Sequence, residues 1–409
     1  MSNQDRMRTA LVVVLVLAIV LASGGTGFAA GWFLRSHTAP AAAAPDDVQQ
    51  RFRLFWEAWG VIEREFNHDK PLDLQKVVYG AIGGAIRSLG DPYTAFVEPA
   101  QAKIFEEDLE GSFEGIGATV DQVDGLVVIV ETIDGAPASK AGLRANDVIL
   151  EVDGKSLQGM DLSQAISLIR GPGGTQVRLR IHREGTAEPF EVLVTRDKID
   201  LPTVSSRMLD GHIAYVRLTE FNNQATVRLQ AALRDLLKDH PRALIFDLRG
   251  NPGGYLHIAV QVASQFIRDG VIVSEKDSKG KVTEYKAEGN GLALDVPLVV
   301  LVDGGSASAS EIVAGAIQDT GRGTLIGRTT FGKGSVQASY TLSDGSAVRV
   351  SIARWYTPKG HQIDGKGLTP DIVVPADAEG SAEAAHDAVL ERALQFILAQ
   401  QAAPTPTPQ

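Results

Sequence analysis

Three serines occupy every second position of the stretch VDGGSASASEIVAGAIQD, at Ser306, Ser308 and Ser310, where an apolar strand-like run gives way to a helix-like one. The start of a helix exposes unpaired backbone N–H groups, so a serine there serves either as a cap or as a nucleophile whose oxyanion is already provided for. A serine nucleophile needs a base. None of the eight histidines (37, 68, 182, 212, 240, 257, 361 and 386) sits in a recognisable triad motif, and Gly-x-Ser-x-Gly is absent. TTFGKGSVQ offers another base, Lys333 between Gly332 and Gly334, although a lysine in such a turn is also an ordinary surface residue. Two apolar runs end alike: ALIFDLR enters GNPGG and a helix, and PLVVLVD enters GGSASAS and a helix. In a mostly parallel sheet both corners open at the carboxyl edge, where such folds hold their sites. The candidate oxyanion donors are then the amides of Gly253 or Gly254 and of Ala309.

Composition removes several kinds of chemistry. The chain has 409 residues and no cysteine, which excludes a thiol nucleophile, a disulfide framework and cysteine-bound zinc. Its scattered histidines contain no His-Glu-x-x-His pair, so a metal site has no support in the sequence. A net charge of -11 argues against nucleic acid as a partner.

The elements that must position these residues can be laid out along the chain. After Arg6 and Arg8, residues 10–34 are uncharged, enough to span a bilayer with the N-terminus inside. The expectation is a single-pass membrane anchor with the body on the extracytoplasmic side. The alternative is a signal peptide cut near 41–44, leaving a secreted or periplasmic protein. The layout reads as 1–36 N-terminus and anchor, 37–46 linker, and 47–100 helical, with helices over 47–66 and 72–89 and a break at Gly90–Pro92. Short strands with turns fill 101–197, an alternation of strands and helices fills 198–376, and a C-terminal helix (377–399) and a disordered Pro/Thr tail (400–409) follow. The fold class is thus multidomain, an α/β core preceded by an all-β domain and N-terminal helices.

FEGIGATV, GAPASKAGLRANDVILEVDGKSL and the helix near 161–170 resemble a PDZ domain of the bacterial type. Such a domain adds a chain terminus as a strand and holds its carboxylate on a Gly-rich loop. Gly115, Ile116, Gly117 and Ala118 occupy that loop here, unless the glycines only make a tight turn. DLRGNPGG, GSASASEIVAGAIQD, FGKGSVQ and DGSAVRVSIARWYTPKGHQIDGKGLTPDIVV follow in order, and together they resemble the carboxyl-terminal processing, or tail-specific, serine protease family. The resemblance implies an endopeptidase with a ClpP/crotonase-like α/β core, an inserted PDZ domain and no cofactor. Carried over by position, it makes Ser308 the nucleophile, Lys333 the base and Gln337 a helper amide. Ser306 would then shape the corner, and Ser310 and Glu311 would sit in the first helical turn. Gln337 can reach Lys333 only if the chain bends, at Gly334, because four residues of regular strand span about 13 Å. The implied partners are proteins with unstructured C-termini, the membrane through the N-terminal helix, and a homo-oligomeric copy or an adaptor protein. Two other classes stay open on sequence, a silent PDZ scaffold and an acyl-CoA enzyme of the crotonase type.

Overall fold

The computed structural model describes residues 46–67, 71–375 and 387–402. The uncharged run at 10–34 and residues 403–409 of the expected tail lie outside them, whereas 400–402 are helical, and among the described residues no helix is long and apolar enough to cross a membrane. The chain divides into two compact units.

The first unit takes in the residues up to Pro99 together with 338–350. It contains α1 (Asp46–Glu65), α2 (Leu74–Arg87) and β1 (Ala95–Val97). Asp73 caps α2, its carboxylate accepting the N–H groups of Gln75 at 3.1 Å and Lys76 at 3.2 Å. β1 pairs antiparallel with 347–349, Phe96 opposite Val348.

The second unit holds 100–337 and the residues from Ser351 onward, with three apolar clusters. After α3 (Pro99–Glu110) and β2 (Ser112–Gly115) comes an antiparallel sheet ordered β3 (Ala118–Val123), β4 (Leu126–Thr132), β5 (Val148–Val152), β7 (Gln176–His182) and β8 (Phe190–Thr195). Between its strands lie α4 (Pro137–Lys140), β6 (Lys155–Ser156) and α5 (Leu162–Ile169). Strand periodicity sends Val177, Leu179 and Ile181 of β7 into the core and leaves Gln176, Arg178, Arg180 and His182 outside. β9 (Asp197–Asp200) pairs antiparallel with β2, Ser112 opposite Asp200. The strands that enter and leave this sheet therefore zip together, so it departs from and returns to one place in its host.

That host begins with β10 (Val204–Leu209), β11 (Ile213–Leu218), α6 (Ala225–Leu237), β12 (Ala243–Asp247), α7 (Leu256–Ala263), β13 (Val271–Asp277) and β14 (Val282–Lys286). It continues with β15 (Leu298–Val302), α8 (Ala309–Asp319), β16 (Gly323–Gly327), β17 (Ser335–Thr341), β18 (Ala347–Tyr356), β19 (Ile372–Val373) and α9 (Ala388–Ala402). One sheet runs β10-β11-β12-β15-β16-β19, parallel throughout except at the β10 edge. Every residue of β12 and β15 is buried, because both faces of the sheet are covered. One face packs Leu229, Leu233, Phe266, Val313 and Ile317, and the other packs Val389, Ala393 and Ile397 of α9. β12 and β15 are parallel neighbours, Leu244 opposite Leu298, so the corners that follow them open at the same edge. The antiparallel pairing of β13 with β14 and β18 has no counterpart in the sequence reading.

A buried ion network fastens α9 to this sheet. Asp247, fully buried at the end of β12, receives Tyr215 Oη at 2.7 Å and the Arg249 guanidinium at 2.7 Å. Arg249 also reaches both oxygens of Asp387, at 2.6 and 2.8 Å, and Asp387 caps α9 by accepting the Leu390 N–H at 3.0 Å. Burial, reinforced by Asp247, pushes the Tyr215 phenol up to about 12. Arg249→Met should cost about 3–5 kcal/mol, since it strands a buried carboxylate. Asp387→Asn, at the half-exposed end, should cost about 1 kcal/mol or less. Urea midpoints at constant m-value check both, and a larger loss from Asp387→Asn would refute this ranking.

Candidate active site

Ser308 sits at the junction of the β15 corner and α8 with φ 54° and ψ −111°, a conformation that L-residues rarely adopt. Such strain persists only where neighbours over-determine it, and here the two adjoining serines do so. Ser306 Oγ donates to the Leu248 carbonyl at 2.8 Å and accepts the Asp303 N–H at 3.0 Å. Ser310 Oγ donates to the Asn251 carbonyl at 2.9 Å. Both outer serines are fully buried and staple the β15 corner onto the β12 corner, while Ser308 between them is half-buried. The Asp303 carboxylate adds a further tie by accepting the Gly250 N–H at 2.9 Å.

The two corners meet closely at Gly253. A Cβ on Gly253, whose φ is 107°, would stand 2.8 Å from the Ala307 carbonyl and 2.9 Å from Ser308 Cβ, so only glycine fits. Its own N–H donates to Asn251 Oδ1 at 2.9 Å. Phe221 donates to the Gly253 carbonyl at 2.8 Å and accepts from the Tyr255 N–H at 2.9 Å, a pattern that spares the amide between them. Among the described residues, no partner is found for the N–H of Gly254 or of Ala309. Ala309 also opens α8, where the helix dipole favours negative charge.

Glu311 joins the serine corner to the lysine segment. It is fully buried, and its Oε2 accepts the N–H of Ser308 at 2.8 Å and the N–H of Lys333 at 2.9 Å. Oε1 accepts the Gly332 N–H at 2.7 Å and the Thr330 hydroxyl. Burial pushes this carboxyl above its ordinary range, and the converging donors pull it back. One oxygen thus holds the backbone of Ser308 and that of Lys333 together. Lys333 is half-buried. Next to it Gly334 lies so close to the 363–367 segment that a Cβ would fall 2.1 Å from the Asp364 nitrogen. Gln337, two residues into β17, donates from Nε2 to Ser335 Oγ at 2.8 Å.

The Gly-rich loop between β2 and β3 is held from behind. The Ile116 carbonyl accepts the Ala138 N–H at 2.7 Å, and the Gly117 carbonyl accepts the Ile133 N–H at 3.0 Å. In a planar trans peptide the N–H points opposite to the C=O, so these bonds turn the amides of Gly117 and Ala118 the other way. A Cβ on Gly117 would meet Ala136 Cβ at 2.4 Å, so a larger residue there disturbs packing as well as any ligand. Ile116 and Ala118 line a cavity of about 320 Å³ with Val120, Ile166 and Ile169. Gly115 precedes them as the last residue of β2.

Sequence reasoning placed Glu311 only in a helical turn and did not single out Asn251 or Asp303. Ser-x-x-Glu spacing at 308–311 was the available signal, because a residue three positions past a helix start can bond back to it. Its bonds to 330–333 leave no local trace.

Comparison with known proteins gives this geometry a context. The model of peptidase family S41 matches residues 212–374, and a PDZ domain model matches 128–183. The carboxy-terminal processing protease CtpA of Bacillus subtilis is 41% identical over 300 residues, covering 73% of this chain and 64% of that relative. The carboxy-terminal-processing protease of Bartonella bacilliformis is 41% identical over 307 residues, covering 74% of this chain and 70% of its own length. A solved S41-type structure from Bacteroides fragilis, 18% identical with a TM-score of 0.50, covers 90% of this chain and 94% of itself and shares the fold. The chain belongs to peptidase family S41, among its PDZ-bearing carboxy-terminal processing proteases.

Proposed function

We propose that this protein is a serine endopeptidase that captures unstructured protein C-termini in its PDZ groove and cuts peptide bonds with a Ser308–Lys333 dyad. The observation that carries the dyad is the Glu311 carboxylate, which accepts the backbone N–H of both residues on one oxygen. In the first step Ser308 Oγ bonds to the scissile carbonyl carbon while Lys333 Nζ takes the hydroxyl proton. The carbonyl electron pair moves onto oxygen, facing the N–H groups of Ala309 and Gly254. Of the two corner glycines, Gly254 is the better donor, since the Gly253 amide is engaged by Asn251. Collapse breaks the C–N bond, and Lys333 returns the proton to the departing amine. Water, deprotonated by Lys333, then hydrolyses the acyl-serine ester. Gln337 stays a helper whose amide supports the lysine segment from β17. The catalytic body is exported, with the uncharged run at 10–34 serving as anchor or signal.

Three experiments test the chemistry. Ser308→Ala should abolish cleavage of an unfolded substrate with the fold intact by circular dichroism. Ser306→Ala and Ser310→Ala should keep turnover and lose about 1 kcal/mol of stability each. Wild-type turnover by Ser308→Ala would end the assignment. Because a lysine must be neutral to accept a proton, the rate should rise toward alkaline pH, and Lys333→Arg should be inactive since guanidinium stays protonated. A Lys333→Arg enzyme with the wild-type pH profile would indicate another base. Glu311→Gln turns an amide NH₂ toward backbone N–H groups and loosens the link between Ser308 and Lys333. It should cut kcat about a hundredfold with a smaller change in KM, and an unchanged kcat would show that the link is dispensable.

A further inference from the structure

The cavity beside the Gly-rich loop is not walled by the PDZ sheet alone. Glu220, which follows β11 in the protease core, and Asp108 of α3 line it together with Ile116, Ala118 and Arg170. Arg170 lies against the start of the Gly-rich loop. Its Cγ lies 3.5 Å from where a Cβ on Gly115 would stand, and its guanidinium stacks on Phe113 at 4.0 Å. That guanidinium already pairs with Glu107 at 2.7 Å and with Asp108 at 3.2 Å. The cavity is therefore lined by two carboxyl groups, Asp108 and Glu220, and by one cation, Arg170, that is already paired.

Of the charges on the surrounding elements, the buried Arg196 spends its guanidinium on the carbonyls of Leu168 and Ile169. Arg228 of α6 lies 3.9 Å from Asp200 and also donates to the Leu201 carbonyl. Glu106 and Glu110 of α3 act on Tyr255. Lys198 on β9 is exposed. A tail carboxylate adds a third acidic group to a pocket lined by Asp108 and Glu220, and in a partly desolvated cavity like charges at close range disfavour one another.

Building on the tail-capture reading, we propose that Glu220 is a specificity-determining residue of the groove: it must carry a proton for a terminal carboxylate to enter, so that tail binding takes up one proton. Burial first, and then the Asp108 charge, hold the Glu220 carboxyl at about 7, against a hydrogen bond from Asn222. The protonated fraction thus falls steeply through neutral pH. Capture favours the acid side and hydrolysis the alkaline side. An amidated end or an internal segment escapes this dependence.

The test uses full-length Ser308→Ala protein, which binds without cutting, and a short N-terminally labelled Ser/Gly peptide ending in valine, as free acid and as amide. Fluorescence anisotropy gives Kd across the range from about pH 6 to 8, within which the peptide carboxylate is always ionised. The free acid should bind about tenfold more weakly at the upper limit, since apparent affinity scales with the competent fraction. The amide should show no such trend. Adding Glu220→Gln should flatten the free-acid curve, and Asp108→Asn, by removing a like charge, should move its midpoint to lower pH. Free-acid binding that is independent of pH, or an unaltered slope in Glu220→Gln, would overturn the role of Glu220 and leave tail capture standing. Absence of binding by either peptide at any pH would remove tail capture and this inference with it.

Discussion

A carboxylate with no exposed surface holds the centre of this protein. Glu311 gives up hydration worth several kcal/mol, and the structure offsets that with four donors drawn from the start of α8 and from the segment ahead of β17. Charge-assisted bonds of this kind are short and directional, so they act as a spacer as well as a tie. Ser308 is held in a strained backbone conformation on one side, and the Lys333 backbone is presented on the other. Thr330 extends the arrangement, since its hydroxyl oxygen accepts the Leu368 N–H at 2.7 Å and so secures the loop that packs on Gly334.

Around this centre the parallel sheet supplies position and the small residues supply approach. β12 and β15 deliver two Gly-rich corners to one edge, and Ser306, Ser310, Asn251 and Asp303 sew those corners together with hydrogen bonds. Glycine at 253 lets the β12 corner come within contact distance of Ser308. Behind the edge, Asp247 and Arg249 anchor α9 across the opposite face of the sheet. The end of β12 therefore carries two loads, a buried ion network and the first corner of the site.

The inserted sheet joins the host through the paired strands β2 and β9, and one wall of its groove belongs to the core. Glu220 faces the groove, and the next residue, Phe221, donates its N–H to the Gly253 carbonyl. Consecutive residues thus touch the groove and the corner beside Ser308.

Much of this was legible in the residues themselves. Alternating apolar positions in QVRLRIH, unbroken apolar runs in ALIFD and LVVLV, and glycine clusters at their ends are local signals, and the strands and corners they predict are the ones that form. The serine triplet and the glycine-flanked lysine were visible for the same reason, because short-range steric rules fix how such stretches turn. Other features depended on chain closure. Glu311 meets groups 19 to 22 positions away, and Arg249 meets Asp387 138 positions away. No periodicity encodes such distances, since the intervening chain can close in many ways and only the packed core selects one. The environment of Glu220 has the same origin. Its glutamate could be read in the sequence, but its burial beside Asp108 arises only when a helix ahead of the inserted domain and a strand end after it pack together. Sequence by itself determined which groups could do chemistry and on which elements they lie; tertiary packing decided which of them share a low-dielectric site, because burial and charge proximity are properties of the closed chain.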